Sequence, residues 1–146
     1  MASQTDTLLH QLQSFYLSFD QHSINALADI YHADVQFIDP IHQVTGLTAL
    51  QDYFRNILQG VDYCHFEFSH SVSSHEQLFL SWQMRFRHPN LGNGQEIVVA
   101  GVSHCQVSEQ RVIYQRDYYD AGSMVYEHVP ILRYVISKVK QRLNSA

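Results

Sequence analysis

Lysine and arginine are scarce in this chain: nine of 146 residues, against fourteen Asp and Glu, for a net charge of −5. Nucleic-acid binding needs a basic stripe, and the body of the chain has none. No apolar run approaches the roughly 20 residues that span a bilayer. Met1 to Asp6 lack the basic and apolar regions of a secretory signal, so a cytoplasmic protein is expected. There is no glycine-rich phosphate loop and no Gly-x-Ser-x-Gly elbow, and neither cysteine has a histidine partner in sequence, which leaves nucleophilic catalysis without support. Cys64 and Cys105 lie far apart in candidate strands and are expected to be buried free thiols, because cytosolic disulfides are rare. Ten histidines invite a metal site, but no His-Glu-x-x-His spacing occurs, so no metal and no other cofactor is expected. Alternation puts His65 and His70 on opposite faces of one strand.

What is present suits a folded domain. Hydrophobic residues make up 45% and aromatics 12%, which excludes a disordered chain. No repeat or linker divides it, so a single domain over 1–146 with a substantial core is expected. Leu8, Leu12, Phe15, Tyr16 and Phe19 recur at helical spacing and predict an amphipathic helix over 5–20. After the break at Asp20-Gln21-His22, Ser23 can cap a shorter helix that buries Ile24, Leu27, Ala28 and Tyr31. Residues 33–38 read as a strand stopped by Pro40, and 41–46 as a loop. Thr48 with Gln51 fits a capping box opening a third helix, which closes at Gly60.

Four strand candidates follow. The clearest carries Leu78, Leu80, Trp82, Met84 and Phe86 on one face, with Ser81, Gln83, Arg85 and Arg87 on the other. Short turns join it to strands over 95–107 and 111–119, which predicts an antiparallel meander with one hidden face. Beyond Asp120-Ala121-Gly122, Pro130 is placed to open a last helix with Leu132, Ile136, Val139 and Leu143 on its apolar side. Arg133, Lys138, Lys140 and Arg142 share this helix and complement its dipole; the pattern also permits contact with an anionic membrane, which is the less favoured reading.

The order of these elements, the Tyr31-His32-Ala33-Asp34 turn, Phe37-Ile38-Asp39-Pro40 and the Gly101-Val102-Ser103-His104 strand together resemble the nuclear transport factor 2-like superfamily. Within it, the chain is most similar to the SnoaL-like and ketosteroid isomerase-type branch, over residues 5–120. The resemblance implies an α+β cone, cystatin-like, in which a curved antiparallel sheet packs on N-terminal helices. It also implies a pocket for a small apolar molecule, homodimers through the sheet, and residues 123–143 as a C-terminal helical extension that forms a lid or a dimer element.

In ketosteroid isomerases an Asp base moves a proton, while a Tyr and a protonated Asp donate hydrogen bonds to the enolate oxygen. Asp39 holds the Asp-Pro position of that motif. The tyrosine position falls on Phe15, with Tyr16 one step and about 100° away on a helix, and Ser103 stands where the neutral acid would be. Steroid isomerisation therefore does not carry over. Val99, Gly101, Ser103 and Cys105 share one face by alternation, and the register implied by the resemblance points Gln115, Asp117 and Tyr119 inward. Asp39 and Asp117 would then share a cavity with Trp82, Met84 and Phe86, as a candidate acid and base. His42 could reach the mouth and titrate near neutrality, while His104 faces away from Ser103. Two functions stay open. One is an isomerase, cyclase, dehydratase or hydrolase with Asp39 as base and Asp117, Tyr119 or Ser103 assisting. The other is a non-catalytic module that binds a ligand or only dimerises. Structural roles are equally available: Asp39 bonding local amides before Pro40, Asp117 in an ion pair, Gly101 marking a bulge.

Overall fold

The computed structural model describes residues 3–145. Helix α1 spans Gln4–Leu17 and starts with a capping box: Asp6 N donates to Ser3 Oγ at 3.1 Å, and Ser3 N returns a bond to Asp6 Oδ2 at 3.1 Å. Leu8, Leu12, Phe15 and Tyr16 are buried. The expected second helix is reduced to a 3₁₀ turn, Ser23–Ala26, and one α turn, α2, Leu27–Ile30. Ser23 does not cap it as expected. Instead Asp20 accepts from Ser23 N at 2.9 Å and closes the preceding break. Ile30 is buried where Ala28 was expected to be; Ala28 is exposed, because the chain leaves the helix at Tyr31.

Strand β1, Tyr31–Ile38, begins two residues before the predicted start. The segment expected to be a loop holds β2, Gln43–Thr45, paired antiparallel with β1. Three residues are too few to display a period, so this edge strand had no sequence signal. Helix α3, Leu47–Gly60, is entered through Gly46 at φ 92°, a conformation that needs glycine. Thr48 therefore lies inside the first turn, and the Thr48–Gln51 capping box does not form.

Strands β3 (Tyr63–Ser74), β4 (Gln77–Arg87), β5 (Ile97–Ser108) and β6 (Arg111–Tyr119) form the meander. The curved, open sheet has the order β2-β1-β6-β5-β4-β3. Its one parallel pair, β1 with β6, is absent from the sequence reading because it joins distant segments. A register shift between Phe68 and His70 corrects another expectation. His65 opposes Arg85 and His70 opposes Ser81, so both histidines share the outer face. That face also exposes Phe79, Val98, Val102 and Tyr118.

The inner face packs on α1 and α3 through aromatic rings. Phe54 meets Phe19 at 5.4 Å, Phe37 at 5.5 Å and Phe15 at 6.0 Å between centroids. Each such pair adds about 0.5–1.5 kcal/mol beyond area burial, so Phe54 is where α1, α3 and β1 are held together. Cys64 and Cys105 are buried free thiols. Short helix α4, Ala121–Met124, is capped by Asp120. Helix α5, Pro130–Asn144, ends the described chain.

Gly101 marks no bulge. It pairs in register with Trp82 on β4 and Tyr119 on β6, and a Cβ there would lie 2.4 Å from Trp82 Cη2. Glycine is required so that the indole can lie flat across β5. Gly101→Ala is expected to lower stability by about 1–3 kcal/mol and to shift tryptophan fluorescence. Chemical denaturation checks this, and an unchanged midpoint with an unchanged spectrum would show that the close contact is not limiting.

Candidate functional site

Between the inner sheet face and the helices lies a cavity of about 200 Å³. Strands β3 and β4 supply Cys64, Phe66, Trp82, Met84 and Phe86; α1 supplies Tyr16; α3 supplies Tyr53, Phe54 and Ile57. At the mouth stand Ile41, His42, Leu91, Met124 and Val125. Among the described lining residues there is no Lys or Arg, and the carboxylates present are Asp39 and Asp117.

Asp117 enters from β6, where alternation turns residues 115, 117 and 119 inward. Its Oδ1 accepts from Ser103 Oγ at 2.6 Å and from Gln115 Nε2 at 2.9 Å. Among the described residues Oδ2 receives no hydrogen bond, and the side chain lines the cavity. Burial pushes the carboxyl up to about 6; the bonds from Ser103 and Gln115 oppose this, and the charge of Asp39 adds to it.

A buried polar chain supports that group. Tyr31 OH donates to Gln115 Oε1 at 2.6 Å, so the 2.8 Å contact between the two phenols must run from Tyr16 to Tyr31. Gln115 Nε2 also reaches Tyr16 OH at 3.3 Å. Trp82 Nε1 donates to Ser103 Oγ at 2.9 Å. The hydroxyl protons of Ser103 and Tyr16 are thus committed inside the protein. Burial holds both phenols, Tyr16 and Tyr31, well above their ordinary range, so they stay protonated.

Asp39 sits differently. Its Oδ1 accepts from Ile41 N at 2.8 Å and His42 N at 2.7 Å, which is the local turn role available to an Asp before proline. Its Oδ2 accepts from Tyr53 OH. Burial, then the bond to Asp39, raises the Tyr53 phenol. His42 covers this pair from outside, with its ring 5.0 Å from that of Tyr53 and Nδ1 3.9 Å from Asp39 Oδ1. Oδ1 holds two donors and Oδ2 one, so the Asp39 side chain is fixed in orientation.

Asp39, Asp117, Tyr119, Tyr16, His42, Trp82, Met84 and Phe86 therefore meet at one cavity. Four expected wall residues do not line it. Phe15 is one residue round the helix from Tyr16 and packs on Phe19 and Phe54. Val99 is core, Gly101 lies under Trp82, and Gln115 is 1% exposed beneath Asp117. Ser103 reaches only a crevice of about 10 Å³ beside Asp117, where it fixes the carboxyl. Asp117 has no ion pair among the described residues, and Arg116 instead lies over the Tyr118 ring at 5.1 Å. Tyr53 and Tyr31 were missed. At helical spacing with Leu50, Phe54, Ile57 and Leu58, Tyr53 carries the pattern of an apolar stripe, and only the β1–α3 packing reveals its hydroxyl.

The Cys64 thiol in the wall is pushed up to about 12 by burial and is not a thiolate nucleophile near neutrality. Among the described residues no group of His, Cys, Asp and Glu could hold a metal ion.

The family model of the SnoaL-like domain matches residues 12–115. No curated protein matches the sequence. Among solved structures, an NTF2-like protein of unknown function from Burkholderia pseudomallei superposes with a TM-score of 0.74 at 13% identity, over 88% of this chain and 99% of that one. A protein from Shewanella putrefaciens, described as a candidate SnoaL-like polyketide cyclase, gives 0.70 at 18% identity, over 90% and 99%. A ketosteroid isomerase-like fold from Catenulispora acidiphila, in complex with trimethylamine, gives 0.70 at 13% identity, over 80% and 89%. At these identities the likeness shows the fold.

The raised carboxyl makes a stability prediction. The folded state binds the Asp117 proton more tightly than the unfolded chain does, so this group costs stability as pH rises from about 3.8 to about 6. Asp117→Asn keeps the oxygen that accepts from Ser103 and Gln115 but cannot ionise. Its unfolding free energy relative to wild type is expected to climb across that window and level off above it, by on the order of 1–3 kcal/mol. Denaturant titrations at several pH values check this; a difference independent of pH would contradict the raised value.

Proposed function

The chain belongs to the SnoaL-like domain family, and on that footing we propose that it binds a small neutral apolar molecule in the cavity and moves a proton on it through Asp117. The single observation carrying this reading is the asymmetric carboxyl. One oxygen is fixed by Ser103 and Gln115, and the other takes no hydrogen bond among the described residues, on a side chain that lines an apolar cavity. Above a pH of about 6 that oxygen can accept a proton from a carbon or hydroxyl of the ligand; once protonated it can return the proton to another atom. The base role expected for Asp39 moves to Asp117, because the Asp39 oxygens are engaged by three donors.

Asp39 and Tyr53 then act as positioning residues at the cavity entrance. The absence of Lys and Arg among the described lining residues disfavours anionic ligands. A cavity of about 200 Å³ lies below the roughly 300–1,000 Å³ of sites for larger ligands. A compound of one or two rings fits this space better than a four-ring skeleton. Isomerisation, cyclisation and dehydration all begin with such a transfer. The Shewanella putrefaciens relative, described as a candidate polyketide cyclase, makes a carbonyl-bearing ring compound a sensible first class to test.

The test is exchange of solvent deuterium into the carbon next to the carbonyl, over a panel of small aromatic and bicyclic ketones. Wild type is expected to catalyse exchange at a rate that rises as pH passes about 6. Asp117→Asn is expected to lose about 10²–10⁴-fold, and Asp39→Asn less. Full activity in Asp117→Asn with none in Asp39→Asn would return the base to Asp39. Quenching of Trp82 fluorescence by ligands that never exchange would make the protein a binder without turnover.

A further inference from the structure

Helix α5 is an amphipathic helix whose apolar side is largely exposed. Ile131 is 78% exposed and Leu143 72%, and Leu132, Val135 and Val139 are exposed as well. At 100° per residue these five, with Ile136, fall in one arc of about 140°. Lys138 borders the arc on one side and Lys140 and Arg133 lie past its other edge, while Arg142 falls just inside the first edge. After Glu127 the sequence has four positive charges and no acidic residue, within a chain whose remainder carries −9. An excess of basic over acidic residues is therefore concentrated in this helix.

The helix packs mainly on the turn Tyr126–His128 just before it, where Lys140 Nζ meets Glu127 Oε1 at 2.5 Å. None of its residues lines the cavity, whose mouth is formed in part by Met124 and Val125 a few residues upstream. A second copy would offer as its own exposed apolar surface the outer sheet face, with Phe79, Val102 and Tyr118. That face also carries Arg85, Arg87 and Arg116, with Glu67 and Glu96 paired to Arg85, and so offers a basic helix no excess of negative charge. An apolar arc with basic side chains beside it, one of them paired with Glu127, instead matches an anionic lipid headgroup layer. The arc enters the acyl boundary while the long basic side chains reach back to the phosphates.

We propose that α5 docks the protein on the surface of an anionic lipid bilayer, apolar arc inward, and so brings the cavity mouth close to the membrane. A small apolar ligand dissolved in the bilayer could then enter without crossing much water. Docking is independent of any proton transfer at Asp117, so failure of one leaves the other standing.

The probe is a set of vesicles: phosphatidylglycerol mixed with phosphatidylcholine, and phosphatidylcholine alone. The full chain is expected to cosediment with the anionic vesicles, to bind the neutral ones far more weakly, and to be released by salt. Lys138→Gln combined with Arg142→Gln is expected to weaken binding by about thirty-fold. Val135→Ser combined with Val139→Ser should weaken it while the charge is kept. Both pairs are exposed, so the fold is expected to survive, and the Trp82 emission spectrum checks that. No partition into anionic vesicles, or binding unchanged in both variants, would overturn the proposal. So would slow hydrogen exchange over residues 130–144 before vesicles are added: in a dimer it would assign the arc to a second copy, and in a monomer to the chain's own body.

Discussion

A carboxyl group walled in by aromatic rings loses its water, and leaving it charged there is costly unless donors replace that water. Asp117 meets this constraint halfway. Two donors hold Oδ1, which keeps the anion accessible, and burial keeps the proton available near a pH of 6. The rest of the inner structure follows from supplying those two donors. Ser103 must face inward on β5, Gln115 must lie two residues before Asp117 on β6, and Trp82 must lie flat over Gly101 to reach Ser103. Tyr31 and Tyr16 then complete the bonds of Gln115, tying β1 and α1 into the same chain. Among the described residues no buried side-chain polar atom is left without a partner, as a polar network inside an apolar core requires.

The two carboxylates of the cavity have different surroundings. Asp39 closes the turn between β1 and β2 and accepts from Tyr53. Asp117 has an oxygen to offer. The distinction depends on donors that arrive from other elements, and it moves the proposed chemistry from the mouth of the cavity to its floor.

Much of the fold was legible in the sequence, and the reasons are physical. Long periodic segments such as β4, with Leu78, Leu80, Trp82, Met84 and Phe86 inward, declare both strand and face. Asp117 and Tyr119 follow from alternation once the register of β6 is fixed. Features set by single residues or by distant pairing were hidden. The β1–β6 parallel pair, the three-residue β2, the shift at Ser69 that puts His70 with His65, and entry to α3 through Gly46 rather than a Thr48 cap all belong to this class. At the site, Tyr16 and Phe15 differ by one helical step, which spacing alone could not resolve. Ser103 proved to face inward yet to spend its proton on Asp117, a fact that no local pattern encodes.

The central claim is that the fold holds a titratable, half-satisfied carboxyl in the cavity. Carbon-13 NMR of the Asp117 side-chain carboxyl, assigned by comparison with Asp117→Asn, follows that group alone as pH is changed. A midpoint near 6 is the result this account predicts. A midpoint near the ordinary 3.8 of an exposed aspartate would contradict it, and would leave Asp117 without the proton that the proposed chemistry needs.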